Sequence, residues 1–190
     1  MSNVILNINR FKILEEFTAD YNKRIYGRNV AKKLKMNQKT VSNVLNELEM
    51  EHVLRFVKEG KNKYYSLNEF YPYMMEIIHL IETQRKINFI EKYKKIRNLF
   101  SKLEERTEGM LIIFGSYANF SANEKSDLDV LAIGKIKNVE DLEDIYNIKI
   151  NIIKINENKF DKNEHIVKEI IKNHIILKGT ENFIYLIWQV

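Results

Sequence analysis

The sequence contains no cysteine, one proline and six glycines. It has no run of 18 apolar residues. The first absence excludes disulfides, thiolate zinc sites and cysteine nucleophiles. The last excludes a transmembrane helix and predicts no membrane partner. So little glycine and proline leaves no material for a floppy tether, which predicts that successive domains are joined by helix. The opening residues MSNVILNINRFKIL lack the charged, apolar and small-residue regions of a signal peptide. The expected location is therefore cytoplasmic. What the chain does have is 45% hydrophobic and 11% aromatic residues, enough to bury real cores despite 30% charged residues. At 190 residues it has room for two small domains. The net charge of +5 is unevenly placed. Residues 1–70 hold 13 Lys/Arg against 8 Asp/Glu, whereas residues 71–190 hold 18 of each. A cationic excess confined to one module predicts a polyanionic partner there.

Residues 111–134, LIIFGSYANFSANEKSDLDVLAIG, carry the chemistry. The apolar run Leu111 to Phe114 ends in Gly115-Ser116. Ten residues on, Ser126-Asp127-Leu128-Asp129 enters a second apolar run, Val130 to Ile133. Short β-branched runs of this kind read as buried strands. Residues i and i+2 of a strand share a face. Asp127 and Asp129 are thus expected to project side by side, and their mutual repulsion is relieved by a divalent cation with a preference for hard oxygen ligands. The Gly-Ser turn offers backbone N–H groups and a hydroxyl suited to phosphate.

This stretch resembles the signature of the DNA polymerase beta superfamily of nucleotidyltransferases, especially its minimal stand-alone members. The resemblance rests on Gly115-Ser116 and Asp127-x-Asp129 and extends weakly to residues 170–181, covering roughly residues 86–190. It implies a two-metal phosphoryl transfer site. Asp127 and Asp129 would be the catalytic acids and would hold Mg²⁺ or Mn²⁺. Gly115, Ser116 and Ser126 would bind a nucleoside triphosphate, with ATP the expected one. The sequence departs from the family pattern twice. The later strand 148–155 has Asn151 where active members carry a third carboxylate, and an amide brings neither charge nor a base. After Gly-Ser the family commonly has Ala-Arg-Gly, whereas this chain has Ala118-Asn119-Phe120. Glu157, six residues beyond Asn151, lies about 20 Å along a strand and is no substitute. Two functions stay open. One is transfer of a nucleoside monophosphate to an unknown acceptor. The other is a transcriptional regulator whose inactive domain senses nucleotide or dimerises.

The N-terminal third reads as three helices and a hairpin. Phe11, Leu14, Phe17 and Tyr21 recur at helical spacing. A second helix spans residues 27–34. Asn37 suits the N-cap of a third helix, 38–51, whose inner face is Val41, Val44, Leu45 and Leu48. Residues 53–58 and 63–67 flank the turn cluster 59–62. This order resembles the winged helix-turn-helix of small bacterial and archaeal repressors. The resemblance implies a double-stranded DNA partner, with Gln38, Lys39, Thr40, Ser42 and Asn43 at the major groove and Arg55, Lys58, Lys61 and Lys63 against phosphates. Arg28, Lys32, Lys33 and Lys35 make the second helix basic as well.

Between these parts, residues 69–85 are apolar on most sides of a helix and are expected to be buried, with Pro72 in its first turn. They would pack between the domains or against a second copy, and a homodimer would match a palindromic DNA site. Another helix is expected at 88–105, and the tail 182–190 must bury itself or meet a partner. The four histidines have no metal-ligand spacing. The expected fold class is α+β: a winged helix-turn-helix at 1–70, a linker and dimerisation helix at 71–87, and a nucleotidyltransferase-like α/β domain with a mixed sheet at 88–190.

Overall fold

The computed structural model describes residues 7–188. Residues 1–6, part of the leader reading, and Gln189 and Val190 of the apolar tail lie outside the described residues. The chain divides into two compact units, with the division between Ile81 and Glu82.

In the first unit, α1 (Ile8–Glu15) starts at Asn7, whose side chain accepts a hydrogen bond from the Asn9 N–H at 2.8 Å. The two-residue strand β1 (Ile25–Tyr26) leads into α2 (Gly27–Leu34) and α3 (Gln38–Met50). Asn37 caps α3 through the Lys39 N–H at 2.8 Å. Strands β2 (Leu54–Glu59) and β3 (Asn62–Leu67) form a hairpin. Glu59 pairs with Asn62, so the loop is only Gly60-Lys61, and Gly60 takes the left-handed backbone (φ +59°) that such a tight loop requires. The sheet order is β1-β3-β2, all antiparallel. Val41, Val44, Leu45 and Leu48 are buried as their spacing predicts. Arg10 fixes α1 to α3: it donates to both Glu51 oxygens at 2.8 and 2.9 Å and to Glu47 at 3.0 Å. The short β1 has no sequence signal, since two residues carry no period.

The second unit is a four-stranded mixed sheet in the order β6-β5-β4-β7. Its strands are β4 (Thr107–Phe114), β5 (Leu128–Ile136), β6 (Ile150–Ile155) and β7 (Ile175–Lys178). β4 is antiparallel to β5 and β7, and β5 is parallel to β6 through the crossover helix α7 (Glu140–Tyr146). Leu111, Ile113, Val130, Ala132 and Leu177 meet Phe89, Phe100, Leu103 and Leu142 in one core. The alternate residues Met110, Ile112, Leu131, Ile133 and Ile176 are buried too, which explains why these strands read as continuous apolar runs. Helix α8 (His165–Lys172) precedes β7, and α9 (Thr180–Ile187) contacts β4 and β7. The tail thereby buries Phe183, Ile184, Ile187 and Trp188.

Two helix expectations need correction. The apolar helix is α4 (Met74–Lys92), which begins after Pro72 rather than containing it. It is not buried all round. Met74, Ile77, Ile78 and Ile81 are buried, but Leu80 and Ile87 are 55 and 49% exposed, and Tyr73, just before the helix, is 64% exposed. The helix expected at 88–105 is split: α4 continues through Phe89 to Lys92, a 3-10 turn spans Lys94–Ile96, and α5 covers Arg97–Arg106. The continuation has a tertiary cause. Arg85 and Glu82 are buried with His174, and the Phe89 ring packs at a tilt against Phe100, 4.8 Å between centroids, so core contacts hold α4 intact past the polar stretch at Gln84 to Asn88. Among the described residues no helix is long and apolar enough to cross a membrane.

Candidate functional site

Asp127 and Asp129 stand at the start of β5, where the chain leaves the loop that follows β4. Parallel pairing sets Asp129 beside Asn151, and antiparallel pairing sets Phe114 on its other side. The Asn151 amide nitrogen donates to Asp129 Oδ1 at 3.0 Å and to Asp127 Oδ2 at 3.3 Å. One donor atom within hydrogen-bond reach of an oxygen from each acid places the two carboxylates around a common point. Lys149 places its ammonium 3.8 Å from Asp127 Oδ2. All three central residues are half-buried, so charge at this point is partly shielded from water.

Gly115 closes the other side. It opens the four-residue helix α6 (Gly115–Ala118) in a left-handed backbone conformation, φ +68°. A Cβ there would lie 2.3 Å from Asp129 Oδ2. The glycine of the Gly-Ser turn is thus required by the second acid as well as by its own backbone. The Ser116 carbonyl anchors the loop that returns to β5, accepting from the N–H groups of Ser121 at 3.0 Å and Ala122 at 3.1 Å. Ser126 folds that loop: its hydroxyl accepts from the Asn123 N–H at 2.9 Å. This gives Ser126 a structural bond beside the nucleotide-binding role expected of it.

Residues 93–186 match the family model described as a nucleotidyltransferase domain. The C-terminal unit carries a nucleotidyltransferase domain. No curated protein and no solved structure matches the chain. Nucleotidyltransferase domains in general use a nucleoside triphosphate and a divalent metal, so the fit of this domain to such a metal can be judged from its donors. The converging atoms are carboxylate oxygens plus an amide that can turn its oxygen to the same point, a hard-ligand set suited to Mg²⁺ or Mn²⁺. Among the described residues, no three His, Asp or Glu side chains form a metal-holding group. The nucleotidyltransferase domain here therefore offers two charges and one neutral ligand.

The second departure from the family pattern has its own structural context. Phe120 has φ +57° and lies in an aromatic cluster, 6.2 Å from the Phe89 ring and 6.5 Å from Tyr93. Its carbonyl accepts from Lys92, whose ammonium also sits 5.4 Å over the Phe120 ring. The phenylalanine that replaces a small residue thus pins the loop after Gly-Ser to the domain core.

In the N-terminal unit, an open concavity of about 400 Å³ lies between α3 and the hairpin. Gln38, Ser42, Lys58, Lys61 and Lys63 line it, joined by Arg28. Lys39 and Asn43 are exposed on α3 and Thr40 is half-buried, but none of the three lines the concavity. Arg55 pairs with Glu69 at 2.7 Å and donates to Ser66 at 3.3 Å, away from that surface. Arg55 thus shares its charge with a surface carboxylate, a pairing that the one-dimensional reading of a basic wing could not reveal. Tyr26 and Tyr65 also line it, held by Asn62 at 3.0 Å and Asn46 at 2.9 Å. Neither tyrosine was singled out by sequence, because their contacts come from strand register.

Proposed function

We propose that this protein is a DNA-binding nucleotidyltransferase that takes a nucleoside triphosphate, with ATP expected, and transfers its nucleoside monophosphate to an acceptor. The observation that carries the reading is the convergence of Asp127 and Asp129 on one point in register with Asn151, beside the Gly115-Ser116 turn. Asp127 and Asp129 would hold the divalent cation, with Asn151 as a neutral third ligand. When bound, that cation supplies charge stabilisation at the phosphates and an activated attacking oxygen. Gly115 and Ser116 would bind the triphosphate through the backbone N–H groups and the hydroxyl of their turn. The acceptor oxygen would attack the α-phosphate, its bond forming as the bond to pyrophosphate breaks. Transfer of label from an α-labelled triphosphate is expected with the wild type and is abolished in Asp127→Ala. A wild type that transfers no label would oppose this reading.

Asn151 favours a second reading, in which the domain binds nucleotide without turnover and the chain is a transcriptional regulator. Both readings share the N-terminal unit. The element order α1-β1-α2-α3-β2-β3, the cap at Asn37 and the basic concavity support a winged helix-turn-helix on double-stranded DNA. Replacing Lys61 and Lys63 by glutamine is expected to weaken DNA binding and reduce the slope of log affinity against log salt by about two. An unchanged slope removes the hairpin from the interface. The seven-residue spacing of exposed Leu80 and Ile87 on α4, continued by Tyr73 just before it, supports pairing of α4 with a second copy, which light scattering can measure directly.

A further inference from the structure

The parallel pairing of β5 with β6 does more than bring Asn151 to Asp129. Leu128 pairs with Ile150, and the Leu128 N–H donates to the Lys149 carbonyl at 2.8 Å. Lys149 therefore stands beside Asp127 as Asn151 stands beside Asp129. Residues two apart on a strand share a face. The site is thus a square, with two carboxylates where the chain enters β5 and an ammonium and an amide where it enters β6. The Lys149 ammonium is 3.8 Å from Asp127 Oδ2, and its side chain is 69% exposed. It is near enough to feel the carboxylate and open enough to turn toward a ligand.

The charges decide what such a lysine does. Two carboxylates and one ammonium give a formal charge of −1. A cation arriving alone meets a site whose negative charge is partly neutralised. A nucleotide arriving with its cation brings phosphate oxygens, which are a richer partner for an ammonium than one half-exposed carboxylate. We propose that Lys149 is a phosphate-contacting residue of this site, serving as internal counter-ion to Asp127 until a nucleoside triphosphate takes over its charge. The inference rests on the nucleotide-binding reading given above and adds to it the residue that recognises the triphosphate.

The two halves of the role have opposite signs, which makes the test specific. In Lys149→Ala, binding of Mn²⁺ without nucleotide, followed by its electron spin resonance signal, is expected to tighten about fivefold because a competing cation is gone. Binding of a non-hydrolysable ATP analogue with Mg²⁺, followed by calorimetry, is expected to weaken about tenfold. Lys149→Arg should retain nucleotide affinity, and Lys154→Ala, at the other end of the same strand, should change neither constant. Both constants unchanged in Lys149→Ala would overturn the inference and leave the nucleotide reading intact. A wild type that binds no nucleotide would overturn both.

Discussion

Replacing Arg85 by methionine is expected to destabilise the nucleotidyltransferase domain by about 3–5 kcal/mol. Arg85 is buried, donates to Glu82 Oε2 at 2.6 Å and donates to the His174 carbonyl at 2.7 Å. Glu82 is 1% exposed, with its other oxygen 3.5 Å from His174 Nε2. His174 Nδ1 lies 2.7 Å from the Ile171 carbonyl. Removing the arginine leaves the Glu82 carboxylate in a dry interior without its guanidinium. The large cost is thus the desolvated charge left behind, not the worth of the ion pair itself. Removing both charges, in Arg85→Met with Glu82→Gln, should recover much of the loss. The chain's one tryptophan, Trp188, is buried in this unit, so its fluorescence follows the relevant transition in urea. A loss under about 1 kcal/mol would mean that water reaches this cluster.

Gly115→Ala is expected to remove metal-dependent nucleotide binding. Two penalties add. An alanine in the left-handed region costs about 1–2 kcal/mol, and its Cβ would meet Asp129 Oδ2 at 2.3 Å. Asp129 must then rotate away from the point it shares with Asp127 and Asn151. Gly60→Ala separates the two effects. Gly60 has a similar φ of +59°, but a Cβ there meets nothing within 4 Å. It should lose stability by a similar backbone amount and keep its nucleotide affinity. If Gly115→Ala binds nucleotide as the wild type does, Asp129 is not a ligand-holding residue.

These results separate what one dimension shows from what it hides. The alternation of apolar strand, Gly-Ser, and paired acids placed β4 and β5 correctly, because buried strands leave a compositional trace. Asn151 fell on the strand beside the acids, as the family pattern required, and the register of β5 with β6 puts it in contact with both. That register also delivers Lys149, which no spacing rule marks, since the pairing of two strands is a tertiary choice. The break between α4 and α5 was hidden for a related reason. The polar residues Gln84 and Asn88 suggest a boundary, yet buried Arg85 and Phe89 hold the helix together from the core side. Glu69, fourteen residues from Arg55 along the chain, stands 2.7 Å from it, a pairing that no spacing rule marks.

The most direct test of the account is calorimetric titration of a non-hydrolysable ATP analogue, with and without Mg²⁺, into the wild type and Asp129→Ala. The account predicts binding by the wild type that requires Mg²⁺ and is lost in the variant. Absence of binding in the wild type, or equal binding by the variant, would contradict it and leave Asn151 as the mark of a site that no longer holds nucleotide.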